Sequence, residues 1–249
     1  MSEDDPNPWQ AIQEYILWIR DADHPGVVFV REALSSAIVV LLIGLILFAA
    51  SGVWPPLVAV RSGSMEPNLH RGDLVFIMDE NRLVPGPAIE GVVTYQMGKE
   101  IDYQTFGDYG NVIIFDPPTR RGPPIIHRAR MYVQKGENWV KRARSEFLYS
   151  RGCDEVPYCP APYAGFITKG DNNPTYDQTS PGLHIPIVKP SWITGTAEFH
   201  VPYLGYVRLI VSEFATSSRM IGTGLMFNYQ TALGYRVEPR RSRQVLNQL

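Results

Sequence analysis

The pattern of hydrophobic positions begins with one long apolar segment near the N-terminus. No charged residue occurs from Ala33 to Val60, and Ala37–Ala50 reads AIVVLLIGLILFAA. Because ~20 apolar residues in a helix cross a hydrocarbon core of ~30 Å, the sequence predicts a transmembrane helix at 33–53. A cleaved signal peptide would carry its basic region at the extreme N-terminus, and a core helix would keep a polar face, so neither alternative fits.

The region after this segment consists of short runs rich in Val, Ile, Tyr and Phe. Gly, Pro, Asn and Asp separate the runs, which is typical of strands joined by turns. The runs are Asp73–Met78, Gly91–Met97, Asn111–Phe115, Pro124–Val133, Ala164–Lys169 and His184–Val201. The pattern therefore predicts a mainly β, mostly antiparallel domain over about 58–207, preceded by one transmembrane helix.

The C-terminal region, 208–249, has a weaker pattern. A short helix is expected at Tyr203–Phe214. The segment Met220–Tyr235 is uncharged but diluted by Thr, Gly, Asn and Gln, so we do not expect it to span a membrane. The end, RVEPRRSRQVLNQL, is typical of a solvated basic tail.

Composition narrows the class of partner. The 249 residues carry a formal net charge of -2, which disfavours a nucleic-acid partner. The two cysteines, Cys153 and Cys159, lack the spacing of a zinc or redox motif, and no metal or cofactor is expected. They are either unpaired thiols or, if this part of the chain lies outside the membrane, a disulfide that closes a small loop.

Candidate chemistry begins directly after the apolar segment, where residues 61–67 read RSGSMEP. Ser64 can present its hydroxyl at the membrane surface, but a serine needs a base to accept its proton. His127 lies in an apolar run and would ordinarily be a structural residue. The carboxylates of Asp171 and Asp177, in and after the KGDNN turn at 169–173, can orient an imidazole.

Four boxes in order behind a membrane helix resemble the type I signal peptidases. They are SGSMEP, GDLV at 72–75, the His-Arg pair at 127–128, and KGDNN with Asp177 six positions after Asp171. The resemblance covers roughly Leu34–Val207 and is strongest to the archaeal enzymes and to the catalytic subunit of the endoplasmic-reticulum complex. In bacterial relatives a lysine stands where this chain has His127.

The resemblance implies a role for each matching residue. Ser64 matches the nucleophile, His127 the general base and Asp177 the acid that orients it. Asp171 matches an aspartate that supports the site, and Ser62 matches a serine whose hydroxyl joins the Ser64 backbone N–H in an oxyanion hole. Asp171 is also expected to cap its own turn by accepting backbone N–H groups.

The resemblance also implies a fold, a location and partners. It predicts a coiled antiparallel β-sheet domain on the extracytoplasmic side of the cell membrane, or of the endoplasmic-reticulum membrane, with residues 1–32 in the cytoplasm. The stretches 79–123 and 145–163 look like surface insertions. Signal-peptide-bearing preproteins, cut after small residues in an Ala-x-Ala pattern, are the implied substrates, with the lipid bilayer and the secretion translocon as further partners.

Two alternatives stay open. One is a Ser-Lys dyad using Lys135, Lys141 or Lys169, although a carboxylate beside Lys169 would keep that lysine charged. The other is a non-enzymatic membrane-anchored β domain that acts as a surface scaffold. The charges that flank the span, Arg20 and Arg31 on one side and Arg61 and Arg71 on the other, do not decide its orientation.

Overall fold

The structure is a computed structural model that describes residues 7–21, 23–84, 86–120, 122–150, 152–180 and 185–210. Its helices and strands are α1 (Pro8–Asp21), α2 (Pro25–Ser51), β1 (Leu57–Ala59), β2 (Leu74–Met78), α3 (Tyr95–Ile101), β3 (Gln104–Thr105), β4 (Asp108–Tyr109), β5 (Val112–Phe115), β6 (Ile125–Val133), β7 (Gly165–Lys169) and β8 (Ile193–Val201). Residues 205–210 form a further helical turn.

Helix α2 is long and apolar enough to cross a membrane. It has 27 residues and begins at Pro25, well before the predicted start of the span at Ala33. The proline suits the first turn because its missing N–H has no partner there. The helix ends where Gly52 adopts φ 79°, a left-handed conformation that closes helices and that glycine accepts without strain.

The β domain is built on one six-stranded antiparallel sheet in the order β1-β2-β8-β5-β6-β7. A second sheet pairs only β3 with β4. The mainly β fold behind an apolar helix is therefore confirmed. Strands formed by the runs Asp73–Met78, Asn111–Phe115 and Pro124–Val133 lie in the main sheet.

The main sheet curls, so that strands far apart in its order come together. Val60, directly after edge strand β1, shares one hydrophobic cluster with Val112 of β5, and Ile126 of β6 packs against the same cluster. The curl brings the segment after β1 close to the start of β6, and this is the region that contains the candidate site.

Two predictions for the stretch 79–123 are wrong. The run Gly91–Met97 is not a strand along its length, because the Thr94 side chain caps α3 by accepting the Met97 N–H at 3.4 Å. Nor is the whole stretch a surface insertion, since β5 lies between β8 and β6 inside the main sheet. The apolar composition of this run favoured a strand, whereas Thr94, a preferred N-cap residue type, starts a helix within it.

The stretch 145–163 also does more than extend the surface. Cys153 and Cys159 form a disulfide, and Val156 and Ala161 are buried in a cluster with Trp139 and Tyr176. The loop therefore completes part of the core.

The chain after β8 turns back onto β2. Gly205 packs against the Asp73 backbone so closely that a Cβ would lie 2.5 Å from the Asp73 carbonyl oxygen. The helix expected at Tyr203–Phe214 is present over 205–210. Its later residues, the segment Met220–Tyr235 and the basic tail fall outside the described residues.

Candidate active site

Ser64 lies in the turn that joins β1 to β2. The turn is fixed by Met65, which is fully buried, and by a backbone hydrogen bond from Leu69 N to Met65 O at 3.0 Å. Ser64 itself is only partly buried. The buried neighbour holds the backbone while the hydroxyl stays reachable.

His127 lies in β6, and its ring faces Ser64. His127 Nε2 is 3.0 Å from Ser64 Oγ, although the two residues are 63 positions apart in the sequence. His127 is buried, with 4% of the residue exposed. A nitrogen at this distance can accept the hydroxyl proton.

Asp177 completes the row on the other side of the imidazole. Its Oδ2 lies 2.6 Å from His127 Nδ1, and the side chain is completely buried. A carboxylate accepts a hydrogen bond here, so Nδ1 carries the proton and Nε2 is left free to accept one from Ser64.

Thr168 holds Asp177 in place, and sequence reasoning did not identify this role. Thr168 Oγ1 donates to Asp177 Oδ2 at 2.7 Å, and Asp177 N donates to Thr168 O at 3.0 Å. Gln178 in turn contacts both the backbone and the hydroxyl of Thr168. A threonine inside a strand-like run has no pattern that distinguishes this from ordinary β propensity.

Asp171 is bound to other residues and does not face the imidazole. Arg128, fully buried, donates to both carboxylate oxygens at 2.9 and 2.7 Å, and Asn68 Nδ2 donates to Oδ2 at 2.9 Å. The expectation that Asp171 caps its own turn is therefore wrong. Its carboxylate is instead bound by Arg128 of β6 and by Asn68, which lies in the same β1–β2 turn as Ser64.

The turn that contains Asp171 also holds the β1–β2 turn that contains Ser64. Asn172 N donates to Ser64 O at 2.9 Å, and Asn172 Nδ2 donates to Gly63 O at 3.0 Å. A Cβ on Gly170 would lie 2.6 Å from Ser64 O, so this approach requires glycine. The KGDNN segment thus fixes the height of Ser64 above His127.

The lysines considered for a dyad have other surroundings. Lys135 and Lys141 are exposed. Lys169 is buried, but its Nζ donates to the carbonyls of Gly170 and Asp171, and among the described residues no hydrogen bond joins it to Ser64. Burial and, next, Arg130 lower the pKa of Lys169, whereas the nearby carboxylates of Asp171 and Asp177 act in the opposite direction and favour its charged form.

A cleft of about 360 Å³ opens beside Ser64 and His127. Apolar side chains, including Val58, Val60 and Ile126, form much of its wall. Ser62 lies at the same mouth, with its Oγ 3.2 Å from Ser64 Oγ. The two hydroxyls and the imidazole therefore face one open space.

A β domain behind a membrane-competent helix, with serine, histidine and aspartate in a hydrogen-bonded row, has the architecture of a membrane-bound serine hydrolase. No protein-family model matches the chain. It is, however, similar to signal peptidase complex catalytic subunits. The one from Neurospora crassa is 28% identical over 189 residues, covering 72% of this chain and 83% of that protein.

The match extends to other fungi. The subunit from Sclerotinia sclerotiorum is 28% identical over 195 residues, covering 74% of this chain and 86% of the relative. The Saccharomyces cerevisiae subunit is 28% identical over 159 residues, covering 64% of this chain and 66% of the relative. These similarities confirm the resemblance to signal peptidases seen in the sequence and support an enzyme of the hydrolase class.

Proposed function

We propose that this protein is a membrane-bound serine endopeptidase that removes signal peptides from preproteins, with Ser64 as nucleophile. The observation that carries the proposal is the row Ser64–His127–Asp177, with distances of 3.0 and 2.6 Å, at the mouth of a cleft. The similarity to signal peptidase catalytic subunits supports the substrate class.

The proposed mechanism follows from the direction of the hydrogen bonds. Ser64 Oγ attacks the scissile carbonyl while His127 Nε2 accepts its proton, and Asp177 stabilises the imidazolium that forms. His127 then returns the proton to the leaving amine, and water releases the acyl group. The Ser64 N–H and the Ser62 hydroxyl are the candidate oxyanion donors, each typically contributing ~3 kcal/mol.

Strand edges on both sides of the cleft suit an extended peptide. Residues Ile125–His127 pair with β5 on one side, whereas the pairing with β7 begins at Arg128. Strand β1 is the opposite edge of the sheet. An extended precursor can add to such edges through its backbone while alternate side chains enter pockets. Small pockets at one and three positions before the cut would favour small residues there.

The location proposed for this chemistry is the membrane surface. Only residues 52–56 separate α2 from β1, so the β domain begins next to the end of the proposed span. We place the β domain on the extracytoplasmic side of the cell membrane or of the endoplasmic-reticulum membrane. The bilayer and the secretion translocon are then the proposed partners besides the preproteins.

Cleavage of a precursor by purified full-length protein in lipid vesicles tests the proposal. Wild type is expected to release the mature fragment, and Ser64→Ala is expected to abolish release while the protein stays in the membrane. His127→Ala should be nearly as damaging. Cleavage that persists in Ser64→Ala, or no cleavage by wild type under varied lipid and salt conditions, would contradict the proposal, and the latter would favour the scaffold alternative.

A further inference from the structure

The cleft beside Ser64 has a strongly one-sided charge. Its lining includes three arginines, Arg61, Arg120 and Arg208, and no aspartate or glutamate among the residues that the structure describes. The chain as a whole has a formal net charge of -2. The positive lining is therefore a local property of the cleft.

These arginines come from three separate segments. Arg61 directly precedes Ser62, Arg120 lies in the turn before β6, and Arg208 lies in the helical turn after β8. The fold thus places the three cations around one cavity.

Within the described ranges, none of the three pairs with a carboxylate. Arg120 Nη1 donates to Pro123 O at 2.9 Å, and Arg208 Nη1 donates to Leu57 O. The buried arginine near the site differs, since Arg128 is neutralised by Asp171. The positive charges of Arg61, Arg120 and Arg208 are therefore available to bind an anionic group that enters the cleft.

The walls between the arginines strengthen their effect on an incoming group. Val58, Val60, Ile126 and Ile185 are apolar, and a cleft with low-dielectric walls and one sign of charge focuses its field on the space inside. A carboxylate placed there gains charge-assisted hydrogen bonds that a neutral side chain of the same size does not.

We propose that the cleft selects preproteins that carry acidic side chains next to the cleavage site. The inference rests on the proposed function and adds a substrate preference to it. Anionic lipid headgroups would also suit arginines, but the three line the same cavity as Ser64 and His127, which a bound peptide must occupy.

The test uses soluble peptides in neutral detergent, so that no anionic lipid is present. Each peptide contains an Ala-x-Ala site, and Glu is compared with Gln at single positions from five before to three after the cut. We expect kcat/KM to be about five-fold higher for Glu at one or more positions, as for partly exposed ion pairs. About 1 M salt should remove the preference, because screening then acts within ~3 Å.

Variants identify the groups responsible. Arg61→Gln, Arg120→Gln and Arg208→Gln should each lower the Glu:Gln ratio, whereas Arg71→Gln, an exposed arginine outside the cleft lining, should not. Arg120→Glu should transfer the preference to peptides with Lys at the same position, which also excludes a folding defect as the cause.

Equal rates for Glu and Gln at every position, or a preference that survives in all three cleft variants, would overturn the inference. An effect of the variants seen only with vesicles of anionic lipid would likewise overturn it and assign the arginines to headgroups. None of these three results contradicts the proposed function, because that function fails only if Ser64→Ala still cleaves or wild type cleaves neither peptide.

Discussion

Two aspartates six positions apart differ in what they contact. Asp177 is buried against His127 and Thr168, and its Oδ1 has no hydrogen-bond partner among the residues that the structure describes, whereas both oxygens of Asp171 are bound by Arg128. One carboxylate therefore faces the imidazole and the other neutralises a buried cation.

The same substitution should separate the two. Asp177→Asn is expected to lower kcat by 10²- to 10⁴-fold, because the imidazole loses its orienting acceptor, with only a small change in Tm. Asp171→Asn is expected to reduce both Tm and activity, because a buried charge without its partner costs about 3 kcal/mol. Precursor cleavage and thermal unfolding of both variants provide the measurement.

The assignment would be reversed if Asp177→Asn stayed active while a stably folded Asp171→Asn was inactive. Asp108→Asn serves as a control, because this carboxylate is also near Arg128 but is more exposed than Asp171. Only modest changes in Tm and in precursor cleavage are expected for Asp108→Asn.

The junction between α2 and the β domain is held by Arg82. Its Nη1 donates to the carbonyls of Ala49 and Ala50 at 2.5 and 2.9 Å, and Asp79 N donates to Ser51 O at 2.9 Å. A cation here satisfies the last carbonyls of the helix and its dipole. These contacts set the angle at which the helix carries the β domain.

Arg82→Gln should therefore affect membrane-bound substrates selectively. We expect cleavage of a membrane-anchored precursor to fall roughly 2- to 5-fold, which matches the free energy that a charge at a helix terminus typically contributes. A soluble peptide should be cleaved at the wild-type rate. Arg71→Gln is the matched control. An equal loss on both substrates would show that Arg82 acts on the site itself.

The segment after β8 is attached to β2 through Asp73. Its carboxylate is bonded to His200 Nδ1 at 2.8 Å and accepts the backbone N–H groups of His70 and Tyr203. Burial by itself would raise the pKa of Asp73, but these hydrogen bonds outweigh it and the pKa lies below its ordinary value.

A lowered pKa fixes the sign of the pH effect. The contribution of Asp73 to stability is present above pH ~3.9, the ordinary pKa of an aspartate in an unfolded chain. It is lost as the pH falls through the lower pKa of the folded state. Asp73→Asn should therefore lower Tm at neutral pH and lessen the decrease in Tm between neutral and strongly acidic buffer. An unchanged acid dependence in this variant would assign the effect to other groups.

The orientation of the whole molecule in the membrane can be tested through its disulfide. Cys153 and Cys159 lie in the β domain, which we place outside the cytoplasm. After reduction, a membrane-impermeant thiol reagent should label both in intact cells, and without reduction it should label neither. Labelling only after lysis would reverse the proposed orientation.

Features that depend on local pattern could be predicted from the amino-acid sequence alone. The apolar run around Ala37–Ala50 predicts the long helix, and most of the apolar runs after it became strands, because period and composition reflect the burial that each segment requires. The boxes around Ser64, His127 and Asp177 also identified the residues that the structure brings together. Each box contains a distinctive set of residue types, which can be read without knowing the fold.

Contacts between residues that are far apart in the sequence could not be predicted and became known from the folded structure. Asn68 and Asp171 are 103 positions apart, and the three cleft arginines come from three segments, so no local pattern records their proximity. The same holds for β5, which looked like part of an insertion until the pairing of β8 and β6 on either side of it was known. Long-range packing chose these partners, because burial and hydrogen bonding are satisfied by whichever surfaces the folded sheet brings into contact.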